Sequence, residues 1–482
     1  MITIENLEPK IVWDIFHNIT KHPRPSKKEE KIVKYIEDFA NNLKLKIKKD
    51  TLGNLVISKP ATEGYENHPG VCIQAHVDMV TEKNRDVEFD FDNDPIQTYV
   101  EDGWLKAKGT TLGADNGIGL AMGMAVLASD NVKHPPFELL CTLDEETGLT
   151  GALELGTDLL DSKILINLDT EDFGLFTIGC AGGMNTKASI DLVKEKLGDN
   201  YKTFELYLKG LKGGHSGIEI HDERGNAAKI INRFLIELNN SLNLKLHSID
   251  SGDKHNAIPR EAYVRFSIPD DQVESLKNII SIQSKVIDNE WKFKEPDLEF
   301  GYNSIESIDD SITLGTQEDI LNVINGIPHG VIRFTPEIPE LVQTSNNLAS
   351  VKTSNDKLEI LTSQRSIIDS ERDAIASSIN SILELGGFNI NKSAGYPAWE
   401  PLKGSELVDM AVKTYKDDFN SEPTIEIIHA GLECGLIGEK YPQMEMLSFG
   451  PTIKEVHTPN EKVEIQSVDD SWKLLVSILE KL

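Results

Sequence analysis

Residues 71–80 read VCIQAHVDMV, a short apolar run that ends directly in a histidine and, two residues later, an aspartate. Such continuous apolar runs are typical of strands buried on both faces of a parallel sheet. Similar runs stand at 54–58 (NLVIS), 137–143 (FELLCTL) and 164–168 (ILINL). The stretch GIGLAMGMAVLAS at 117–129 is long and apolar enough for a buried helix. The order strand, helix, strand predicts an α/β fold with a central mixed, largely parallel sheet flanked by helices.

The pattern changes twice along the 482 residues, a length that favours two or more domains. From about residue 186 the strands alternate (FELYLKGL, AYVRFSI, KLEILTSQRSI), which indicates a sheet with one solvated face. Two stretches there, beginning NAIPREAYVRFSI and SNDKLEILTSQRS, both read as strand, acidic turn, helix. The apolar run MEMLSF at 444–449 again resembles a buried strand. We expect one domain from 1–185 and 399–482, interrupted by an α+β insertion of two similar halves at 186–398.

An amphipathic helix is expected near the start of the chain. Ser26 and Glu29 have the spacing of a capping box, in which each side chain bonds a backbone N–H of the first helical turn. Apolar residues at positions 32, 36, 39 and 43 then recur at helical spacing.

Charge and composition exclude several classes of partner. The formal charge of −30, from 79 acidic against 49 basic residues, repels nucleic acid and anionic lipid, so neither is an expected partner. No apolar run reaches the roughly 20 residues that span a bilayer, and the first residues lack a signal-peptide pattern, so we expect a cytoplasmic protein. The four cysteines form no CxxC pair, which argues against a disulfide framework or a thiolate zinc site.

Potential metal ligands follow the predicted buried strands. Because ligand sites in open α/β sheets form beyond the carboxyl ends of strands, these side chains are expected to meet. The candidates, from five segments, are His76 and Asp78; Asp144, Glu145 and Glu146; Asp169; Asp115, before the buried helix; and His457, after the last strand.

Any one of these residues alone is better explained as a solvated turn or a helix cap, since the chain is rich in acid. Together they favour a metal site, because buried strands that deliver several carboxylates to one edge carry a large repulsion and desolvation cost unless cations neutralise them. Imidazole nitrogens and carboxylate oxygens suit zinc, and cobalt or manganese can occupy the same ligand set.

Two other motifs are rejected. The glycine-rich GADNGIG lacks the Lys-Ser/Thr of a phosphate loop and does not fit GxGxxG. GGHSG matches a serine-hydrolase elbow only in a shifted frame, and no buried strand precedes it.

At these residues the chain resembles the dinuclear zinc exopeptidases of the carnosinase and aminoacylase type, and most closely their aminoacyl-histidine dipeptidases (peptidase D, Xaa-His dipeptidases). The resemblance extends over nearly the whole chain and implies a catalytic domain interrupted by a lid domain. The matching strings, in order, are AHVDMV, KGTTLGADNGIG, LDEETGLTGA, NLDTED, GLKGGHSG, HAGLECG and SFGPTIKEVHTPNE.

The resemblance implies two Zn²⁺ per chain, one on His76 and Asp169, the other on Glu146 and His457, with Asp115 bridging both. Glu145 becomes the general base that takes a proton from a water shared by the zinc ions, and Asp78 orients the His76 imidazole. A cis peptide after Asp115 is also implied.

The resemblance also implies that His215 in GGHSG helps to hold the oxyanion, and in related homodimers this histidine reaches the partner's site. Arg365 is the candidate for pairing with the substrate carboxylate, supported by Asn256. Glu433 is the candidate for the free α-amino group, and His429 for the same pocket.

The leading hypothesis is a zinc dipeptidase acting on Xaa-His and related unblocked dipeptides such as β-alanyl-histidine. A tripeptidase or an N-acyl amino acid deacylase with the same metal chemistry remains open. So does a binding protein that has lost catalysis, although Glu145 argues against it.

Overall fold

The structure, a computed structural model, describes residues 3–336, 338–393 and 395–482. It divides into two compact units. The first comprises Met1–Cys180, Trp399–Ile427 and Leu432–Leu482, and the second comprises Ala181–Ala398 and Ile428–Gly431. The predicted boundaries lay after residues 185 and 398, and the short segment 428–431 was predicted within the first domain.

The elements are numbered along the chain. Up to Cys180 they are α1 (Lys10–Ile19), α2 (Glu30–Asn42), β1 (Lys46–Lys49), β2 (Leu55–Lys59), β3 (Val71–His76), β4 (Thr98–Glu101), β5 (Trp104–Ala107), α3 (Ala114–Ala128), β6 (Phe137–Thr142), α4 (Thr150–Leu153), β7 (Ile164–Asn167) and β8 (Leu175–Cys180). Next come β9 (Gly182–Asp191), β10 (Lys194–Lys196), β11 (Tyr201–Lys209), α5 (Ala227–Ser241), β12 (Lys245–Ser251), β13 (Ala262–Pro269), α6 (Val273–Trp291), β14 (Glu299–Ser304), β15 (Asp310–Ile312), α7 (Leu314–Gly326), β16 (Gly330–Phe334), β17 (Val342–Ser354), β18 (Lys357–Ser366), α8 (Asp369–Leu385) and β19 (Asn389–Lys392). The last are α9 (Glu406–Phe419), β20 (Thr424–Ile428), α10 (Glu433–Lys440), β21 (Glu445–Ser448), β22 (Ile453–Lys454), β23 (Lys462–Glu464) and α11 (Ile465–Leu479).

An eight-stranded sheet in the order β1-β2-β6-β3-β7-β21-β8-β20 forms the centre of the first unit. Its four middle strands, β6, β3, β7 and β21, are parallel, whereas β1, β2 and β8 pair antiparallel with their neighbours. Every residue of β3 and β6 is buried, which explains their continuous apolar runs. The predicted fold class, a mixed α/β sheet flanked by helices, is confirmed.

The predicted buried helix is α3, and its sides pack into the apolar core of the first unit. The backbone is not helical at Asp115 and Asn116, and the peptide bond between them is cis. The first turn of α3 therefore differs from a regular helix where it carries a candidate ligand.

The predicted capping box is wrong. Helix α2 begins at Glu30, and neither Ser26 nor Glu29 bonds its first turn. Ser26 Oγ instead donates to Asp78 Oδ2 at 2.7 Å, and Glu29 Oε1 accepts from the N–H groups of Lys27 and Asp144. Both side chains therefore form hydrogen bonds with the loops that follow β3 and β6.

The second unit has its own antiparallel sheet and its own apolar core. The sheet order β14-β11-β13-β12-β17-β18-β9-β19 is symmetric about the central β12–β17 pair. The two sequence stretches that resemble each other form β13 with α6 and β18 with α8, which hold equivalent positions in the two halves. Alternation of burial holds in the first part of β18, but residues 362–366 are buried throughout.

No helix in the described ranges combines the length and the apolar character needed to cross a membrane.

Candidate metal centre

The candidate ligands of the first unit come from the carboxyl ends of its central strands. His76 is the last residue of β3, Glu145 and Glu146 follow β6, and Asp169 follows β7. Parallel strands end at one edge of a sheet, so these side chains converge. Asp115, in the first turn of α3, completes the set together with His457, which follows β22.

Asp115 lies at the middle of this cluster. Its Oδ1 is 3.0 Å from Nε2 of His76, and its Oδ2 is 3.2 Å from Nε2 of His457. His457 Nε2 is also 3.0 Å from Glu146 Oε2, and His76 Nε2 is 3.5 Å from Asp169 Oδ1. The two oxygens of one carboxylate therefore face two different imidazoles.

Two groups of donor atoms share Asp115. In the group His76, Asp115 and Asp169, and in the group Asp115, Glu146 and His457, one ligand atom from each residue lies within 4.8 Å of the others. The resemblance assigned these same residues to two cations, and their role as ligands remains a prediction. Glu145 forms a further group of the same span with His76 and Glu146.

The electrostatics of the cluster attract positive charge. Hydrogen bonds that His457 donates to the carboxylates of Asp115 and Glu146 raise the pKa of His457 to about 11. Burial by itself would lower the pKa of His76, but the carboxylates of Asp169 and Asp115 raise it well above its usual value. Burial raises the pKa of Glu145, Glu146 and Asp169, and neighbouring carboxylates add to this effect. Cations bound among these groups would relieve that repulsion.

The hydrogen bonding separates this cluster from an ordinary buried acid cluster. A nearby group, Glu29, Asp78 and Asp144, has the same span, yet protein donors satisfy it: Asp144, for example, accepts from the hydroxyls of Thr147 and Thr150 at 2.6 Å. In the candidate centre, by contrast, the buried Glu146 Oε1 has no hydrogen-bond partner among the residues that the structure describes. The donor set of imidazole and carboxylate fits two divalent cations.

Asp78 binds the backbone of the turn that follows β6. It is fully buried, and its Oδ1 lies 3.4 Å from His76 Nδ1 without hydrogen-bond geometry. Its oxygens accept the backbone N–H groups of Glu145 at 3.0 Å and Glu146 at 3.2 Å. Although burial opposes it, His76 and these donors hold the pKa of Asp78 at about 2. The carboxylate therefore holds the turn that carries the Glu-Glu pair.

Glu433, the first residue of α10, is fully buried in the first unit. Its Oε2 accepts from Gln74 Nε2 at 2.6 Å and from Thr142 Oγ1 at 2.8 Å, whereas its buried Oε1 has no hydrogen-bond partner in the described part of the chain. Burial raises the pKa of Glu433 to about 7. One oxygen is thus anchored and the other is left to accept a further donor.

A polar row within the sheet anchors Glu433. Ser448 Oγ donates to Asn167 Oδ1 at 2.5 Å, and Asn167 Nδ2 donates to Gln74 Oε1 at 2.6 Å. Ser448, Asn167 and Gln74 are neighbours on β21, β7 and β3. Each donates a hydrogen bond to the next, and Gln74 donates to Glu433. Hydrogen bonds aligned in this way polarise one another and favour the carboxylate.

The remaining candidates lie in the second unit. Arg365 is buried at the end of β18, where Nη1 donates to the Tyr396 hydroxyl at 2.9 Å and Nε has no acceptor within the described ranges. Ser345 Oγ is 2.7 Å from His429 Nε2. Burial, with Arg365 as the next cause, lowers the pKa of His429 to about 3. The imidazole of His429 is therefore neutral beside the guanidinium.

The glycine turn around His215 packs against the same region of the second unit. His215 Nδ1 accepts the N–H groups of Gly217 at 3.2 Å and Ile218 at 3.0 Å. A Cβ on Gly217 would lie 2.5 Å from the His429 carbonyl oxygen, so only glycine fits there. Asn256 is exposed, and its carbonyl oxygen accepts the N–H of Ser216 at 2.8 Å.

Sequence reasoning missed several residues of the first unit. Arg24 and Glu461 are buried charged residues that contact the loop before Asp115, and no local pattern marks Arg24. Gln74 and Asn167 carried a usable signal, because each is the lone polar residue within an apolar strand run, whereas Ser448 shares its run with Glu445. Glu171 was also missed; burial and the carboxylates of Asp115 and Asp169 raise its pKa to about 8.

Comparison with known proteins agrees with this geometry. The model of "Peptidase family M20/M25/M40" matches residues 72–481. The chain is 41% identical over 482 residues to the cytosol non-specific dipeptidase of Escherichia coli, which covers 100% of this chain and 99% of the relative. The crystal structure of an aminoacylhistidine dipeptidase from Vibrio alginolyticus is similar with a TM-score of 0.88 and 41% identity, covering 100% of this chain and 98% of that one. The aminopeptidase PepT from Bacillus cereus, at 15% identity, covers 98% of this chain and 99% of its own with a TM-score of 0.56, and so shares the fold. The chain therefore belongs to the peptidase family M20/M25/M40.

Proposed function

We propose that this protein is a zinc-dependent dipeptidase that hydrolyses Xaa-His and related unblocked dipeptides, including β-alanyl-histidine. The observation that carries the proposal is the pair of donor groups that share Asp115, with Glu145 beside them. The names of the relatives from Escherichia coli and Vibrio alginolyticus, both dipeptidases, support it.

The residues that would hold the cations are those of the two donor groups. His76 and Asp169 would hold one, Glu146 and His457 the other, and Asp115 would contact both. Zinc fits imidazole and carboxylate donors, and cobalt or manganese can substitute. When bound, such a pair of cations polarises the peptide carbonyl and lowers the pKa of water.

Glu145 is the residue proposed to move the proton. It lies beside His76 and Glu146, and burial raises the pKa of its carboxyl, which favours proton uptake near neutral pH. It accepts a proton from the attacking water and returns it to the leaving amine. Asp78 keeps Glu145 in place through the backbone bond at 3.0 Å.

Glu433 is the residue proposed to read the free α-amino group. A buried carboxylate oxygen without a donor is costly, and a substrate ammonium would satisfy Oε1 with a charge-assisted hydrogen bond. The same contact would disfavour N-acylated substrates, which have no ammonium. This argument favours a peptidase of unblocked dipeptides over a deacylase.

The roles of the second-unit residues remain predictions. Arg365 and Asn256 are the candidates for the substrate carboxylate, and His215 and His429 for the carbonyl and the pocket. Arg365 Nε, for which the described residues offer no acceptor, supports a role in binding an anion. The homodimer is likewise proposed from the resemblance, and the cytoplasmic location from the name of the Escherichia coli relative.

A substrate panel tests the proposal. Purified protein would be assayed with zinc, cobalt or manganese, and after chelation, against Ala-His, β-Ala-His, Ala-Ala, a tripeptide and N-acetyl amino acids. We expect metal-dependent release of amino acids from the unblocked dipeptides, with Xaa-His among the best. Cleavage of only the acetylated substrates would make the protein a deacylase, and cleavage of only the tripeptide would make it a tripeptidase.

A further inference from the structure

The loop that precedes Asp115 is held between two buried charged side chains from distant parts of the chain. Glu461 accepts the N–H groups of Leu112 at 2.7 Å and Gly113 at 3.0 Å through Oε2, and that of Ala114 at 2.7 Å through Oε1. The N–H of Asp115 lies 3.4 Å from the same Oε1. One carboxylate thus satisfies four consecutive backbone donors.

Arg24 holds the opposite side of this loop. Its Nη2 donates to the carbonyl oxygen of Gly113, and its Nη1 donates to the carbonyl oxygens of Val77 at 3.0 Å and Asp78 at 2.6 Å. Gly113 has φ +69°, and a Cβ there would lie 2.6 Å from Arg24 Nη2. The guanidinium therefore ties the segment that follows His76 to the segment that precedes Asp115.

Both charges are nearly removed from solvent, since Arg24 is 2% exposed and Glu461 is 3% exposed. Buried charges of this kind are costly and weak as a source of stability alone. Their contacts converge on a single loop, the one that carries the shared candidate ligand.

The start of a helix leaves its first backbone N–H groups without intrahelical partners, so another acceptor has to satisfy them where they are buried. At the start of α3 Glu461 supplies this acceptor for the N–H groups of Ala114 and Asp115, as well as for those of the two residues before the helix. The backbone that leads to Asp115 is thereby held, while the carboxylate of Asp115 faces His76 and His457. Glu461 is also only four residues from His457, so one short segment supplies both the imidazole and the cap.

We propose that Glu461 and Arg24 are positioning residues that hold Asp115 where both cations share it, so that metal affinity at both sites depends on them. This inference rests on the proposed metal centre, but not on the identity of the substrate. Without Glu461, four consecutive backbone N–H groups would lose their acceptor, and the loop that sets the position of the Asp115 carboxylate would shift relative to both donor groups.

The test is metal affinity measured without substrate, by zinc titration against a competing chelator. In Glu461→Gln an amide NH₂ faces backbone N–H groups, and we expect about 10- to 100-fold weaker binding at both sites, the usual effect of losing an outer hydrogen bond to a ligand. Arg24→Lys keeps the charge but cannot span both loops, and it should weaken both sites in the same direction. If Glu461→Gln does not fold, Arg24→Lys and Glu461→Asp carry the test.

Glu138→Gln is the matched control. Glu138 is also a buried carboxylate that accepts two backbone N–H groups, of Asp161 at 3.0 Å and Ser162 at 2.9 Å, but it lies near the opposite end of β6. We expect a lower melting temperature in both glutamine variants and weaker metal binding only in Glu461→Gln. Wild-type affinity in folded Glu461→Gln, loss at one site only, or equal weakening in Glu138→Gln would overturn the inference. If the wild-type protein bound fewer than two cations, the proposed metal centre itself would fail.

Discussion

Asp78 Oδ1 accepts the backbone N–H of Glu145 at 3.0 Å, so the carboxylate after β3 holds the residue proposed as the general base after β6. The strands β3 and β6 are parallel neighbours, which brings the two loops to the same edge of the sheet. Asp78 therefore supports the turn that carries Glu145 and Glu146, in addition to lying beside His76.

Replacing Asp78 by asparagine should lower kcat by about 10- to 100-fold at saturating metal. The NH₂ group of the asparagine would face one of the two backbone N–H donors and could not accept its hydrogen bond. Steady-state kinetics with metal analysis measures this. Ser26→Ala is the control, since it removes only the hydroxyl bond at 2.7 Å and keeps both backbone bonds. If Ser26→Ala were as damaging as Asp78→Asn, the backbone bonds would not be the cause.

Glu145→Gln should keep two metals per chain and lose kcat by about 100- to 10,000-fold, because the amide cannot accept and return the proton. The measurement combines metal content by mass spectrometry with dipeptide turnover. A variant with normal metal content and normal kcat would remove Glu145 from the proposed reaction.

Asp115→Asn and Glu146→Gln should differ in metal stoichiometry. Asp115 faces both imidazoles, so its variant should lose both cations at a buffered free-zinc concentration. Glu146 faces His457, so its variant should lose one. The number of metals per chain, counted after gel filtration, tests both expectations. One metal retained in Asp115→Asn would contradict the proposal that Asp115 contacts both cations.

Glu433→Gln should raise KM for unblocked dipeptides by about 10- to 100-fold, the equivalent of losing a hydrogen bond to a charged group of about 1.5–3 kcal/mol. Metal content should not change. Glu426→Gln is the control, because Glu426 is a half-buried carboxylate on β20 that accepts the Thr177 hydroxyl at 3.0 Å. An unchanged KM in Glu433→Gln would assign the ammonium to another group.

His329, in the second unit, should contribute to acid sensitivity. Its Nδ1 lies 3.3 Å from Asn226 Nδ2, and burial lowers its pKa from 6.5 to about 4. Between pH 6.5 and 4 the unfolded chain binds the proton more tightly than the folded one, so the free energy of unfolding falls as the pH falls. At pH 4.5 the loss from this group is about 2 to 3 kcal/mol.

Urea unfolding at pH 7 and pH 4.5 measures this dependence. His329→Asn, which keeps an acceptor near Asn226, should show a smaller drop in the free energy of unfolding than the wild-type protein. The same substitution at the exposed His68 should leave the drop unchanged. Equal decreases in the free energy of unfolding in all three proteins would show that His329 does not contribute to the acid sensitivity.

Much of the fold was predictable because buried parallel strands need continuous apolar sequence. The runs at 54–58, 71–75, 137–143 and 164–168 correspond to β2, β3, β6 and β7. The capping box failed because Ser26 and Glu29 bind tertiary partners, Asp78 and Asp144, that local spacing cannot reveal. A local motif is a weak guide where buried partners from other strands compete for the same side chain.

The sequence by itself determined that this is an α/β protein with ligand-type side chains directly after its buried strands, because an apolar run and the residue that ends it are adjacent in the chain. Tertiary structure alone decided which side chains meet. The strand order places Gln74 beside Asn167 and Asn167 beside Ser448, and it allows Glu461 to reach the N–H groups that precede Asp115. Such contacts join residues between 93 and 347 positions apart, and they exist only once packing has selected one order of strands.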